Sequence, residues 1–224
     1  MSNKGMKKGV ILFAILLLPT IFFFILHSGV NNFNAPPIYG PKVLAEGSTI
    51  DTIYHTIPYF EFTNHLGEKI SQKDYEGKIY VADFFFATCP TICPKMATHM
   101  LELQKHFHDR HDFKLLSHTI NPDHDTVAVL YEYSKRVHAI DSVWSFVTGP
   151  KEKIYQVAAK GYFANAMKDL DAEGGFLHST NFFLIDKLGR IRGIFDGTST
   201  TDVQDCMDAI EILFREEYAP LKDK

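Results

Sequence analysis

One stretch constrains the fold of this 224-residue chain more than any other: residues 78–86, with the sequence KIYVADFFF. Such a dense apolar run is typical of a strand that is buried on both faces, and helices usually cover the sheets that contain such strands. The run leads directly into Cys89-Pro90-Thr91-Ile92-Cys93-Pro94. We therefore expect an α/β fold in which two cysteines follow a buried strand.

The spacing of apolar residues predicts elements on both sides of this strand. Upstream, residues 59–63 and 69–71 flank Asn64-His65-Leu66-Gly67, which is a hairpin signal. Downstream, we predict a first helix that carries Met96, Met100, Leu103 and Phe107, followed by a strand at 113–120. A second helix should start at Thr126, be capped by Asp125 and carry Val127, Leu130, Tyr131 and Ser134 on one face. We then predict a strand at 143–148, a helix at 151–160, strands at 182–186 and 191–196, and a helix at 201–217. This alternation predicts parallel strand pairs, and the late hairpin adds an antiparallel edge.

The N-terminal region contains an uncharged run at residues 9–26, GVILFAILLLPTIFFFIL. As a helix it would be roughly 27 Å long, which is close to the thickness of a bilayer core. No small-residue cleavage site follows it, and Lys4, Lys7 and Lys8 before it favour a cytoplasmic N-terminus. We predict a cytoplasmic tail at 1–8, a transmembrane anchor at 9–30, a linker at 31–50 and one extracytoplasmic domain at 51–224.

Charge and cysteine content exclude two classes of protein. From residue 51 onward the chain has 19 basic and 26 acidic residues. An acidic domain of this kind repels phosphate backbones, so nucleic acid is not an expected partner. The three cysteines are too few for a disulfide scaffold.

Cys89 and Cys93 lie where the buried strand gives way to a helix, since Pro94 suits the first turn of a helix. The positive end of that helix should lower the pKa of a nearby thiol. Two thiolates four residues apart can bind one soft metal ion, or they can form a disulfide. The spacing alone leaves both functions open.

Other candidate residues are less distinctive. His178 precedes the strand predicted at 182–186, but it is one of 11 histidines, and spacing alone does not distinguish it from a surface residue. Cys206 and Met96 lie on apolar helix stripes, so we interpret both as core side chains. Four further histidines are interpreted as part of a solvated face, with a secondary metal patch as the alternative: His99, His106, His108 and His111.

Three motifs, in order, resemble the SCO/SenC family: residues 84–93 (FFFATCPTIC) with Pro94, residues 121–126 (NPDHDT), and Leu177-His178-Ser179. The similarity covers about residues 55–217, although the family commonly has Asp where Asn121 stands, and residues 162–175 fit its pattern poorly. Members are membrane-tethered copper chaperones that help to build the dinuclear copper centre of cytochrome c oxidase. The resemblance implies a thioredoxin-like fold with a central mixed sheet and an N-terminal hairpin, and it implies Cys89, Cys93 and His178 as copper ligands.

The resemblance also implies a function, a set of partners and a location. The chain would deliver copper to cytochrome c oxidase subunit II, or reduce the cysteines of its copper site, with a copper donor and a thiol reductant as further partners. It would lie in the bacterial inner membrane with its domain on the periplasmic side. Thiolates are soft ligands that favour Cu(I), and imidazole suits either copper state. Zinc bound by two cysteines, a histidine and water is a further possibility.

The alternative function is that of a membrane-anchored thiol–disulfide oxidoreductase, with Cys89 and Cys93 as its redox-active pair. A peroxidase-like redox sensor of the same fold is a third hypothesis. The C-x-x-x-C spacing, and the absence of proline from residues 177–183, favour metal binding over general disulfide exchange. We assign no catalytic residue.

Overall fold

The computed structural model describes residues 8, 13, 15–23, 35–44, 52–164, 167–168, 176–177 and 179–216. The chain divides into two units, Met1–Asn34 and Ala35–Lys224. In the first unit, residues 15–23 are helical. Within the described ranges, no helix is both long enough and apolar enough to cross a membrane. The anchor at 9–30 stays a prediction.

The second unit contains the described strands and the four helices named here. The strands are β1 (Lys42–Leu44), β2 (Thr52–Tyr54), β3 (Glu61–Asn64), β4 (Lys69–Ser71), β5 (Ile79–Phe85), β6 (Phe113–Thr119), β7 (Trp144–Thr148), β8 (Met167–Lys168), β9 (Phe176–Leu177), β10 (Asn181–Ile185) and β11 (Ile191–Asp196). The helices are α1 (Ile92–Phe107), α2 (Val127–Arg136), α3 (Lys151–Gln156) and α4 (Thr200–Glu216), with a 3₁₀ turn at Gln72–Tyr75 and a π-helical turn at Val157–Gly161.

Seven strands form the central sheet, in the order β11-β10-β5-β6-β7-β3-β4. β5, β6 and β7 are parallel to one another. The β3–β4 and β10–β11 hairpins extend the sheet with antiparallel strands on opposite sides. The predicted mixed α/β sheet and its N-terminal hairpin are therefore confirmed.

β5 is the most buried strand of this sheet, as its sequence predicts. All seven of its residues are buried. α4 contacts β5 and β11, α1 contacts β6 and α4, and α2 contacts β7 and β3. Each fully buried Phe or Ile side chain contributes about 1.5–3 kcal/mol relative to an exposed one. β5 therefore anchors the residues that follow it.

Part of the predicted linker belongs to the domain. β1 pairs with β2, and the Tyr39 N–H donates to the Ile191 carbonyl oxygen at 2.9 Å. The Arg192 guanidinium donates twice to the Pro36 carbonyl oxygen, at 2.8 and 3.0 Å. The segment from residue 35 to residue 44 is thus held by hydrogen bonds to the rest of the second unit, and the domain boundary at residue 51 stays a prediction.

Two details of α2 differ from the prediction. Thr126, not Asp125, is the N-cap, and its hydroxyl accepts from the Val129 N–H at 3.4 Å. Tyr131 is 40% exposed, whereas Tyr133 is buried. The Tyr133 ring packs against Phe85 and Phe146, with ring centroids 4.9 and 5.4 Å away. The helix therefore presents a face rotated from the predicted one.

Candidate metal centre

Cys89 and Cys93 come together at the start of α1. Cys89 lies in the loop of residues 86–91, hereafter the cysteine loop, and its N–H donates to the Phe86 carbonyl oxygen at 3.1 Å. Cys93 is the second residue of α1, and its N–H lies 3.5 Å from the Cys89 Sγ. The first N–H groups of a helix have no partner within the helix. The Cys89 sulfur therefore takes the place of a capping oxygen and lies beside Cys93.

The pKa of the Cys93 thiol is raised, contrary to the expectation of a lowered value. Its hydrogen bond to Cys89 is the largest cause, followed by burial, and a hydrogen bond to the backbone of Phe86 opposes them only in part. Cys89 and Cys93 are 8% and 2% exposed. Cys93 is therefore a protonated thiol at neutral pH, and a bound metal ion would have to displace its proton.

The donor set fits a soft metal ion. Two adjacent cysteine sulfurs are ligands that Cu(I) prefers. The third predicted ligand, His178, lies outside the described residues. Among those that are described, no group of three His, Cys, Asp or Glu side chains could hold a metal ion. The cysteine pair is thus the part of the predicted site that the structure brings together.

The sheet register indicates which chain segments lie near the cysteine loop. β10 is antiparallel to β5, with Phe183 opposite Ala82 and Ile185 opposite Tyr80. The start of β10 consequently lies at the carboxyl end of β5. The cysteine loop leaves β5 at this same end.

Asp125 and Arg136 contact the cysteine loop, and sequence reasoning had given neither residue this role. The Ala87 N–H donates to Asp125 Oδ2 at 3.0 Å. Arg136 donates to the Ala87 carbonyl oxygen at 3.1 Å. The motif NPDHDT at residues 121–126 marked this turn as one of the segments that resemble the family, but its sequence did not show which residue Asp125 contacts.

Asp83 is a second residue without a predicted role. It lies in the middle of β5, is 3% exposed and faces Ser117 across the β5–β6 pair. Burial raises its pKa to about 7, and a hydrogen bond to Ser117 partly opposes that rise. A single acid inside a strand predicted to be buried on both faces was the available signal.

The remaining candidates mostly occupy the core. Cys206 and Met96 are completely buried, which confirms them as core side chains. His99 is only 6% exposed, and its Nδ1 lies 2.7 Å from the Gly197 carbonyl oxygen. The solvated face predicted for the four histidines is therefore wrong for His99. It is correct for His106, His108 and His111, which are exposed.

A cysteine pair at the start of a helix, directly after a buried strand of a mixed sheet, defines the thioredoxin-like class of protein. The chain belongs to the SCO1/SenC family, whose model matches residues 50–213. The SCO1 protein homolog of Bacillus subtilis is 26% identical over 162 residues, which cover 72% of this chain and 84% of that protein. The chain spans 46% of the length of the human mitochondrial SCO1 homolog.

Solved structures of the family share this fold. A SCO1/SenC family lipoprotein from Bacillus anthracis is 31% identical, with a TM-score of 0.65 over 71% of this chain and 95% of that one. BsSco is a member of the Sco family of cytochrome c oxidase assembly proteins and contains a disulfide switch. It is 27% identical, with a TM-score of 0.63 over 71% of this chain and 93% of that one. Copper-bound ScoI from Arabidopsis thaliana is 24% identical, with a TM-score of 0.60 over 71% and 98%.

Proposed function

We propose that this chain is a copper chaperone that binds copper through Cys89, Cys93 and His178. Its role is to deliver that copper to subunit II of cytochrome c oxidase during assembly, or to reduce the copper-site cysteines of that subunit. The observation that carries the proposal is the 3.5 Å contact between the Cys93 N–H and Cys89 Sγ, which holds two soft donors together at a helix start. Copper-bound and oxidase-assembly relatives of the same fold support the choice of cargo and target.

The sheet register supports His178 as the third ligand. This residue stands three positions before β10, the strand whose start lies at the carboxyl end of β5. Imidazole is a ligand for both copper states, whereas thiolates alone favour Cu(I). A Cys₂His donor set therefore suits a protein that holds copper through a change of oxidation state.

A groove beside Cys89 gives a partner access to the cargo. The groove has a volume of about 730 Å³, and its lining includes Cys89, Pro94, Leu101, Arg136 and His138. Cys93 does not line it. Cys89 is therefore the ligand that an incoming thiol or copper donor meets first.

The domain is proposed to act outside the cytoplasm of a bacterial cell, anchored in the inner membrane by residues 9–30. The uncharged run at 9–26 and the three lysines before it support this location. The lipoprotein relative supports membrane attachment, although by a lipid rather than a helix. A reporter fused after Lys224 should be active only outside the cytoplasm, and release of a form that begins near residue 30 would show cleavage instead.

Single substitutions of the three ligands test the site. Cys89→Ser and Cys93→Ser should abolish copper binding. His178→Ala should leave Cu(I) bound by two thiolates but lose most of the Cu(II), because the harder ion depends more on imidazole. The measurements are copper stoichiometry and the thiolate-to-Cu(II) absorption band of the full-length chain. Full Cu(II) loading of the His178 variant would remove His178 from the site.

Thiol–disulfide exchange is the second candidate, because Cys89 lines the groove while Cys93 is buried behind it. An attacking thiol that lines a groove, with a second thiol behind it, can form a mixed disulfide that the second thiol then resolves. Under this function, either cysteine substitution stops insulin reduction, whereas His178→Ala leaves it largely intact. Vigorous reductase activity in a chain that binds no copper would replace the chaperone proposal with this one.

A further inference from the structure

Asp125 is a completely buried acid, and its side chain is bonded to the backbone of Ala87 and to the side chains of Thr119 and His124. Its Oδ2 accepts from the Ala87 N–H at 3.0 Å and from the Thr119 hydroxyl at 2.5 Å, while its Oδ1 lies 2.9 Å from His124 Nδ1. Burial of a carboxyl group is costly unless hydrogen bonds satisfy it. These contacts therefore offset the cost of burying Asp125, and two of them join the end of β6 to the cysteine loop.

Arg136 holds the same loop residue from the other end of α2. Its guanidinium donates to the Ala87 carbonyl oxygen at 3.1 Å and lies over the Tyr133 ring, 4.8 Å from the centroid. Asp125 comes two residues before α2, and Arg136 is the last residue of the helix. The segment from residue 125 to residue 136 thus supplies a hydrogen-bond partner to both the N–H and the carbonyl group of Ala87.

The bonds continue from Ala87 to the cysteines. The residue before Ala87, Phe86, accepts the Cys89 N–H at 3.1 Å, and the Cys89 sulfur then accepts from the Cys93 N–H. Only Thr88 separates Ala87 from Cys89. The direction in which the Cys89 sulfur leaves the loop is therefore set by the backbone on which Asp125 and Arg136 act.

We propose that Asp125 and Arg136 are positioning residues that hold the cysteine loop so that Cys89 faces Cys93 before any ligand binds. This role rests on the proposed function, because the cysteine pair that Asp125 and Arg136 preorganise is the proposed copper site. Preorganisation matters because ligands that are already in place lose less freedom when a metal or a partner thiol arrives.

Asp125→Ala and Asp125→Asn separate hydrogen bonding from charge. The alanine has no acceptor for Ala87. The asparagine keeps one oxygen that accepts both Oδ2 bonds, and its amide faces His124, whose ring can accept in its other tautomer. His124→Ala removes the third contact alone, and Leu213→Ala destabilises α4 far from the loop in sequence. The full-length chain is used throughout.

Amide hydrogen exchange at Ala87 reports on the first bond directly, without copper. We expect the Ala87 amide to exchange about tenfold faster in Asp125→Ala than in Leu213→Ala, under conditions in which the two variants have equal free energies of unfolding. Tenfold corresponds to the loss of a hydrogen bond worth ~1.4 kcal/mol. Asp125→Asn and His124→Ala should stay within about threefold of the parent chain. Equal exchange in Asp125→Ala and Leu213→Ala would overturn the proposal.

The thiolate-to-Cu(II) absorption band gives the second readout. It should change in energy or intensity in Asp125→Ala and Arg136→Ala, and Asp125→Asn should restore it. Arg136 lies at the surface, so its variant tests the idea even if Asp125→Ala does not fold. An unchanged band in a folded Arg136→Ala would remove Arg136 from the proposal. If the parent chain binds no copper, the proposed function fails, and the exchange experiment alone decides the role of Asp125.

Discussion

The two ends of the parallel strands β5, β6 and β7 are held in different ways. At the amino end, charged pairs join the chain segments: Lys187–Asp112 at 2.9 Å, Arg190–Asp186 at 2.7 Å, and Arg192 with Asp186 at 3.2 Å and Glu216 at 2.7 Å. At the carboxyl end, the buried Asp125 is bonded to a backbone N–H and a hydroxyl. One end is closed by ion pairs, and the other presents sulfur donors.

This difference has a physical reason. Open α/β sheets bind ligands outside the carboxyl ends of their strands. A loop that carries metal ligands at this end can be held through its backbone groups, as Asp125 and Arg136 hold the N–H and carbonyl groups of Ala87. The amino end carries no such constraint, so it can use charge to fix the hairpin and the segment before β1.

The largest effect on stability should come from the amino end. Arg192 is 3% exposed and donates to Asp186, Glu216 and the Pro36 carbonyl oxygen. Arg192→Ala removes these hydrogen bonds, although Asp186 keeps its pair with Arg190, so we expect a loss of about 3–5 kcal/mol in the free energy of unfolding. Urea denaturation measures it. Copper stoichiometry of the folded fraction should not change.

Arg190→Ala is the matched control for Arg192. Its side chain is 22% exposed, and among the described residues its ion pair is with Asp186 alone, so the loss should be about 1 kcal/mol. If Arg192→Ala costs no more than Arg190→Ala, the amino end is not held by its buried ion pairs. Loss of copper binding in folded Arg192→Ala would show that the two ends are not separable.

The second prediction concerns two buried titratable groups inside the sheet. Burial lowers the pKa of His118 from 6.5 to about 3, and burial raises that of Asp83 from 3.8 to about 7. Between pH 3.8 and 6.5, unfolding lets His118 bind a proton, so its contribution to stability falls as the solution becomes more acidic. Over the same interval unfolding releases a proton from Asp83, so the contribution of Asp83 to stability rises as the solution becomes more acidic.

The two contributions should nearly cancel in the parent chain, and single substitutions should reveal each one. Asp83→Asn should make stability fall by about 1.4 kcal/mol for each pH unit of acidification below pH 6.5. His118→Phe suits the ring's aromatic surroundings, Phe60, Phe62, Phe84 and Tyr162, and should make stability rise on acidification. Urea midpoints measured from pH 4 to 6.5 test both slopes. Parallel pH profiles for both variants would contradict this account.

Local patterns predicted the elements of this fold well. The β3–β4 hairpin follows its turn residues, β5 follows its dense apolar run, and the stripe of α4 is buried at Val203, Cys206, Ile210, Leu213 and Phe214. In each case neighbouring residues determine both the conformation and the face that is buried. The proximity of Cys89 and Cys93 at the start of a helix was predicted from the same kind of local signal.

What sequence reasoning missed depends on contacts between distant residues. Asp125 bonds to Ala87, 38 positions away, and nothing in the turn around Asp125 specifies that partner. Pro36 and Tyr39 contact Arg192 and Ile191 through their own backbone groups, so the side chains of Pro36 and Tyr39 give no signal of these contacts. The pKa of Cys93 was predicted in the wrong direction because the helix end was considered without the burial and the second thiol.

The smallest expected effect compares one ion pair from each end by double-mutant cycles. Lys151–Asp123 lies at the carboxyl end with the Asp123 side chain 76% exposed, whereas Lys187–Asp112 lies at the amino end with side chains 25% and 12% exposed. Solvent screens the first pair, so its coupling energy should be about 0–0.5 kcal/mol. The second should be larger, about 1 kcal/mol.

Burial raises the pKa of Asp112, but the hydrogen bond and charge of Lys187 outweigh burial and hold the pKa below 3.8. The coupling at Asp112 is therefore present above pH 3.8 and should disappear as the pH falls through the lowered pKa, while the Asp123 coupling stays near zero throughout. Equal couplings at neutral pH would mean that the amino end owes its stability to packing, and that the contrast between the two ends lies only in the residues they expose to a ligand.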